Sequence, residues 1–107
     1  MIIKNSGLPG ITLKAWLIFQ WANLNIISQS GQFTSIVNVQ LGIRNINFQA
    51  GTFSGTSYMP LYLQPADVDI ITMVTKTGSG CQVLMKANGA YVDPGLGVLT
   101  GIYFYEL

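Results

Sequence analysis

The chain has 107 residues, and its five basic and four acidic side chains make only 8% of it charged, against about 25% in an average soluble domain. With no His and a single Cys, Cys81, it cannot hold a Ser-His-Asp triad, a Cys–His pair, a His-ligated zinc, a Cys-based cluster or an intramolecular disulfide. A net charge of +1 without a basic run lacks the electrostatic footprint of a nucleic-acid binder.

Half the residues are apolar and twenty-nine are Asn, Gln, Ser or Thr. A chain this apolar and this uncharged is not a disordered one. Its length suits one domain over residues 1–107 with a modest core. So few charges beside so many apolar residues imply that part of the surface does not face water.

Residues 1–10 contain one Lys followed by Gly and Pro, and read as an N-terminal arm or connector rather than a signal peptide. No charge occurs between Lys14 and Arg44. Polar residues such as Asn23, Asn25, Gln29 and Asn38 interrupt that stretch too often for a membrane-spanning helix.

The first strand is expected over 11–19, with Ile11, Leu13, Ala15, Leu17 and Phe19 on one face and Thr12, Lys14, Trp16 and Ile18 on the other. Strands over 23–29 and 32–39 follow, joined at Ser30-Gly31. A turn at Gln40-Leu41-Gly42 leads to a strand over 43–49, with Arg44, Ile46 and Phe48 on one face and Ile43, Asn45 and Asn47 on the other. Residues 50–56 are a Gly/Ser/Thr loop. Pro60 makes 57–64 an edge strand or a bulge, because it donates no ladder hydrogen bond. Residues 68–76 form a β-branched strand, paired with 81–87 through a hairpin at Gly78-Ser79-Gly80. A Gly/Pro loop over 88–98 precedes an aromatic strand over 99–106. Together these elements predict an all-β fold: a small antiparallel, jelly-roll-like β-sandwich of about seven or eight strands.

Several strands carry apolar residues on both faces. Val68, Ile70 and Val74 alternate with Ile71 and Met73; Ile102 and Phe104 alternate with Tyr103 and Tyr105. A sandwich standing alone wets one face of each sheet. Two-faced apolar strands therefore predict a second surface covered by another chain.

Little in the sequence points to catalysis or to a cofactor. Asp67 and Asp69 are a close carboxylate pair, placed by period 2 on one strand face, a spacing compatible with a glycosidase pair or half of a calcium site. The plainer reading is a solvated strand start. Asp93-Pro94-Gly95 is a turn signal. Cys81 has no neighbouring base and reads as a small apolar residue. Gly78-Ser79-Gly80 precedes no helix and is not a phosphate loop. The aromatics are more suggestive, because Tyr and Trp beside Asn and Gln suit sugars and protein interfaces. Trp21, Tyr58 and Tyr91 are the candidate ligand-binding residues. Trp21 is expected to be exposed at a strand end and Tyr91 to lie in a loop.

One segment has a familiar shape. Lys14-Ala15-Trp16-Leu17-Ile18-Phe19 is followed by Thr34-Ser35-Ile36, a Gly-centred turn, and Ile43-Arg44-Asn45-Ile46-Asn47-Phe48. It resembles phage tail-fibre and virion structural proteins that open on Lys-Ala-Trp-Val-x-Phe and continue with a Ser-Ser-Ile-type strand and a Gly-x-Tyr-x-Val-x-Phe strand. Arg44 stands where that pattern has Tyr, and Gln20-Trp21-Ala22-Asn23 where it has Gly-Thr-Gly. The resemblance implies a trimeric, charge-poor virion β-domain without a catalytic site or cofactor. Its partners would be copies of itself, other virion proteins and a host surface glycan. A tail-fibre tip that adheres to the host is the first functional expectation. A capsid decoration or cement protein is the second, and a small carbohydrate-active enzyme using Asp67 and Asp69 a distant third.

Overall fold

Alternation of apolar and polar side chains lets each strand bury one face, and hydrogen-bonded pairing then forces the strands into sheets. In the computed structural model, which describes residues 11–106, these sheets are two and antiparallel. The arm expected over residues 1–10 lies outside the described residues. The strands are β1 (Thr12–Gln20), β2 (Ile26–Gln29), β3 (Phe33–Gln40), β4 (Ile43–Phe48), β5 (Met59–Leu63), β6 (Ile70–Val74), β7 (Gly80–Ala87), β8 (Ala90–Tyr91) and β9 (Leu99–Glu106). One sheet has four strands in the order β2-β1-β9-β5. The other runs β3-β4-β7-β6, with β8 pairing on β7. The fold is all-β and sandwich-like, as the strand pattern predicts.

Four local hairpins, β1–β2, β3–β4, β6–β7 and β7–β8, are joined by the non-local pairs β1–β9, β5–β9 and β4–β7. Pro60 sits where a missing donor costs least, on edge strand β5, which pairs only with β9. The β6–β7 hairpin closes as expected, with Thr77 N–H donating to the Gly80 carbonyl at 2.8 Å. Several boundaries differ from the sequence pattern, and three of the differences matter here. The second strand starts at Ile26 because Leu24 takes a left-handed φ of 63° and the Asn23 side chain caps Asn25 N–H at 2.9 Å. The strand expected from residue 68 starts at Ile70, so Asp67 and Asp69 lie in the preceding turn and bend. The loop expected over 88–98 contains the two-residue β8.

The inward faces meet in a core of Ala15, Leu17, Phe19, Ile46, Val83, Met85, Ile102 and Phe104, all buried. At one end Phe33, Phe48, Phe53, Tyr58 and Phe104 pack edge-on, stacked or tilted, with ring centroids 4.3–6.3 Å apart. The Tyr58 hydroxyl shares its proton between the Thr77 and Gly80 carbonyls, 2.9 Å from each, and so ties this cluster to the β6–β7 turn. Glu106 is buried at the end of β9. One carboxylate oxygen accepts the Ser54 N–H and hydroxyl, each at 2.9 Å, and the other lies 3.9 Å from Lys14 Nζ.

One buried side-chain polar atom has no partner among the described residues, the Thr100 hydroxyl on the inward face of β9. Leaving a hydroxyl dry and unpaired costs about 1–3 kcal/mol. Thr100→Val keeps the shape and removes that cost, so it should raise the unfolding free energy by about 1 kcal/mol in urea denaturation.

Candidate functional site

Alternation along β4 turns Arg44 inward, beside Ile46 and Phe48, as the sequence pattern requires. A guanidinium in that position must have every donor engaged, or its desolvation is uncompensated. Arg44 is 1% exposed. Its Nε and Nη2 donate to the Trp21 carbonyl at 3.3 and 3.2 Å. Its Nη1 donates to Asn38 Oδ1 at 2.9 Å, the Gln40 carbonyl at 3.0 Å and the Ile43 carbonyl at 3.2 Å. The guanidinium carbon lies 4.8 Å from the Trp21 ring centroid, in cation–π contact, and Nη2 lies 3.5 Å from Asp93 Oδ2. The other carboxylate oxygen of Asp93 accepts the Trp21 indole N–H at 2.8 Å and the Gly42 N–H at 2.7 Å.

This clasp joins the end of β1, the β3–β4 turn and the loop before β9. Gly42 is obligatory in it. Its φ is +74°, and a Cβ there would stand 2.8 Å from the Met85 carbonyl and 2.9 Å from Tyr91 Cβ. Partial burial pushes the Asp93 carboxyl up, but the bonds from Gly42 and Trp21 and the Arg44 charge outweigh it and hold it below the usual carboxylate range.

The clasp corrects the expectations for the aromatic candidates. Trp21 is wholly buried rather than exposed, because its ring is stacked on Phe19 at 6.0 Å and covered by Arg44. Tyr58 is wholly buried in the aromatic cluster, and burial pushes its phenol pKa up. Neither ring offers a face to a ligand. Tyr91 is 36% exposed on β8, with the Lys86 ammonium 4.8 Å from its ring centroid. The structure does not bring the three together into one site. Asp67 and Asp69 are both exposed, and Asp69 accepts the Asn88 N–H at 2.7 Å, capping a turn. Cys81 is buried, and burial pushes its thiol up to about 12.

What the strands do present are two contrasting outer faces. On the four-stranded sheet, cross-strand register puts Trp16, Tyr103 and Leu61 in one row and Ile18, Gly101 and Leu63 in the next. Leu61 is 59% exposed and Leu63 50%. Leu63 lies across Gly101, where a Cβ would come within 2.8 Å of its own. Lys14 stands on the same strand, at the bulge between Leu13 and Ala15. On the five-stranded sheet amides and hydroxyls gather at the β6–β7 turn end, with Val37, Asn45, Gln82 and Val74 in one row and Ser35, Asn47 and Gly80 in the next, whereas the rows beyond hold Ile43, Leu84 and Thr72, then Lys86, Ile70 and Tyr91. Comparison with family models, curated proteins and solved structures finds no match for this chain.

Two outcomes test the clasp. A carboxylate held low in the folded state contributes stability that is present above its unfolded pKa of about 3.9 and lost as pH falls through its lower folded value. Asp93→Asn should cost about 1–3 kcal/mol at pH 7 and flatten the loss of stability below pH ~4, as read by urea melts across pH. Gly42→Ala should cost about 1–3 kcal/mol from backbone strain alone, with the clash added, as read by the thermal midpoint.

Proposed function

We propose that the chain is a structural protein of a bacteriophage virion, a trimeric β-domain at the tip of a tail fibre that mediates adhesion to the host. The observation that carries this reading is the apolar outer face of the four-stranded sheet. The Trp16–Tyr103–Leu61 and Ile18–Gly101–Leu63 rows form a contiguous surface of the kind that isolated domains rarely leave in water. A second copy is the occupant that fits it. The two rows are apolar and uncharged, so they complement themselves without an oppositely charged partner. Covering one large half-exposed side chain contributes about 1 kcal/mol, so association draws on the whole face rather than on one or two residues.

The Lys14–Phe48 resemblance supports the same reading. Its opening strand, β1, turns Ala15, Leu17 and Phe19 into the core and Trp16 and Ile18 onto the shared face. One short pattern thus serves folding and assembly together.

Light scattering on the purified protein tests the proposal. At micromolar concentration the mass should be three times that of the chain. Leu61→Lys, at an exposed edge-strand position outside the core, should give a folded monomer with an unchanged far-UV circular dichroism spectrum. A monodisperse monomer for the unaltered chain would contradict the assembly.

A further inference from the structure

We propose that the outer face of the five-stranded sheet carries a binding groove for a neutral oligosaccharide. This names the ligand class for the adhesion proposed above and rests on that reading for its setting. The groove is an open depression of about 170 Å³ at the β6–β7 turn, lined by Asn45, Asn47, Thr75, Thr77, Ser79 and Gln82.

Its chemistry selects the ligand. No lining residue carries a charge, Gly80 and Cys81 included. Lys76, between Thr75 and Thr77, is turned away to donate to the Tyr58 carbonyl at 3.0 Å. An anion therefore finds no countercharge, and an apolar ligand would strand the amides. A sugar hydroxyl donates and accepts at once, which matches carboxamides that offer both functions.

The amides are also held in place. Gln82 Nε2 donates to Asn45 Oδ1 at 3.1 Å, and Asn47 Nδ2 donates to Ser35 Oγ at 3.0 Å. These bonds leave Gln82 Oε1, one N–H of Gln82 and the Asn45 NH₂ group for a ligand among the described residues. Gly80 makes room for the arrangement, since a Cβ there would lie 2.9 Å from Asn47 Oδ1. Thr75 holds a left-handed φ of 51°, a costly conformation for a β-branched residue. Such strain gathers at ligand clamps. The groove contains no aromatic ring, so hydrogen bonds rather than stacking hold the sugar. A single site should bind with a Kd on the order of 1 mM, and several sites in one assembly raise the avidity.

The test is a titration of isotope-labelled protein by nuclear magnetic resonance. The probes are neutral oligosaccharides of glucose, galactose, mannose and N-acetylglucosamine, with a sialylated oligosaccharide as the anionic arm. At least one neutral sugar should shift the side-chain amide signals of Asn45 and Gln82 saturably. Gln82→Ala should weaken that binding roughly tenfold. Ser79→Trp, in the exposed turn, should abolish it while leaving the fold intact, so the test does not depend on tolerance of the strand substitution. Thr72→Ala, on the same face outside the groove, should bind normally. Absence of saturable shifts with every neutral sugar, preference for the sialylated one, or binding that survives Ser79→Trp would each overturn the groove. Light scattering on the same samples separates the two proposals. A trimer without sugar shifts overturns the groove alone, and a monomer with them overturns the assembly alone.

Discussion

Everything at one end of the sandwich follows from the burial of a single guanidinium. An arginine in a low-dielectric interior is tolerated only when its donors are all taken and its charge is opposed. Arg44 meets that condition by recruiting backbone carbonyls from Trp21, Gln40 and Ile43, a side-chain amide, an indole face and the Asp93 carboxylate. The partners come from three separate segments, so satisfying one side chain also sets the course of the turn after β1, the β3–β4 turn and the loop entering β9. Gly42 is the steric counterpart, since its donor reaches Asp93 only where no side chain intrudes. The opposite end is closed by rings and by the Tyr58 hydroxyl bond to the β6–β7 turn.

Most of the small complement of charge is thereby engaged within the chain. Arg44 and Asp93 hold the clasp, Glu106 and Lys14 meet at the end of β9, and Lys76 and Asp69 bind backbone groups. The outer faces are left almost neutral, but not alike. Two apolar rows lie on the four-stranded sheet, and amides with hydroxyls gather at the β6–β7 turn end of the five-stranded one, which exposes Val37 and Ile70 elsewhere. A single domain thus has one face suited to its own copies and one suited to a neutral polar ligand.

Much of the fold was legible because period 2 is a local signal. The parity of β4, the edge position of Pro60, the β6–β7 hairpin and the limits of β9 all follow from neighbouring residues. The two-faced strands likewise anticipated the outward Tyr103 and Tyr105 beside the inward Ile102 and Phe104. The clasp was not legible. Parity placed Arg44 on the inner face, but nothing local named Asp93, which lies 49 positions further along and reads as an ordinary turn residue. For the same reason Trp21 read as an exposed strand end. Its burial depends on an arginine and a carboxylate brought to it only by the tertiary fold. The groove combines residues of β4, β7 and the β6–β7 turn, so its amides become neighbours only once those strands pair.

The claim that the apolar face is covered by further copies is tested most directly by hydroxyl-radical footprinting across a dilution series. Leu96, 78% exposed in the loop before β9, serves as the internal standard. Met59, Leu61 and Leu63 should be protected relative to Leu96 at high protein concentration and gain reactivity as dilution separates the subunits. Labelling of these three at the rate expected for their exposure in the lone chain, independent of concentration, would contradict the account.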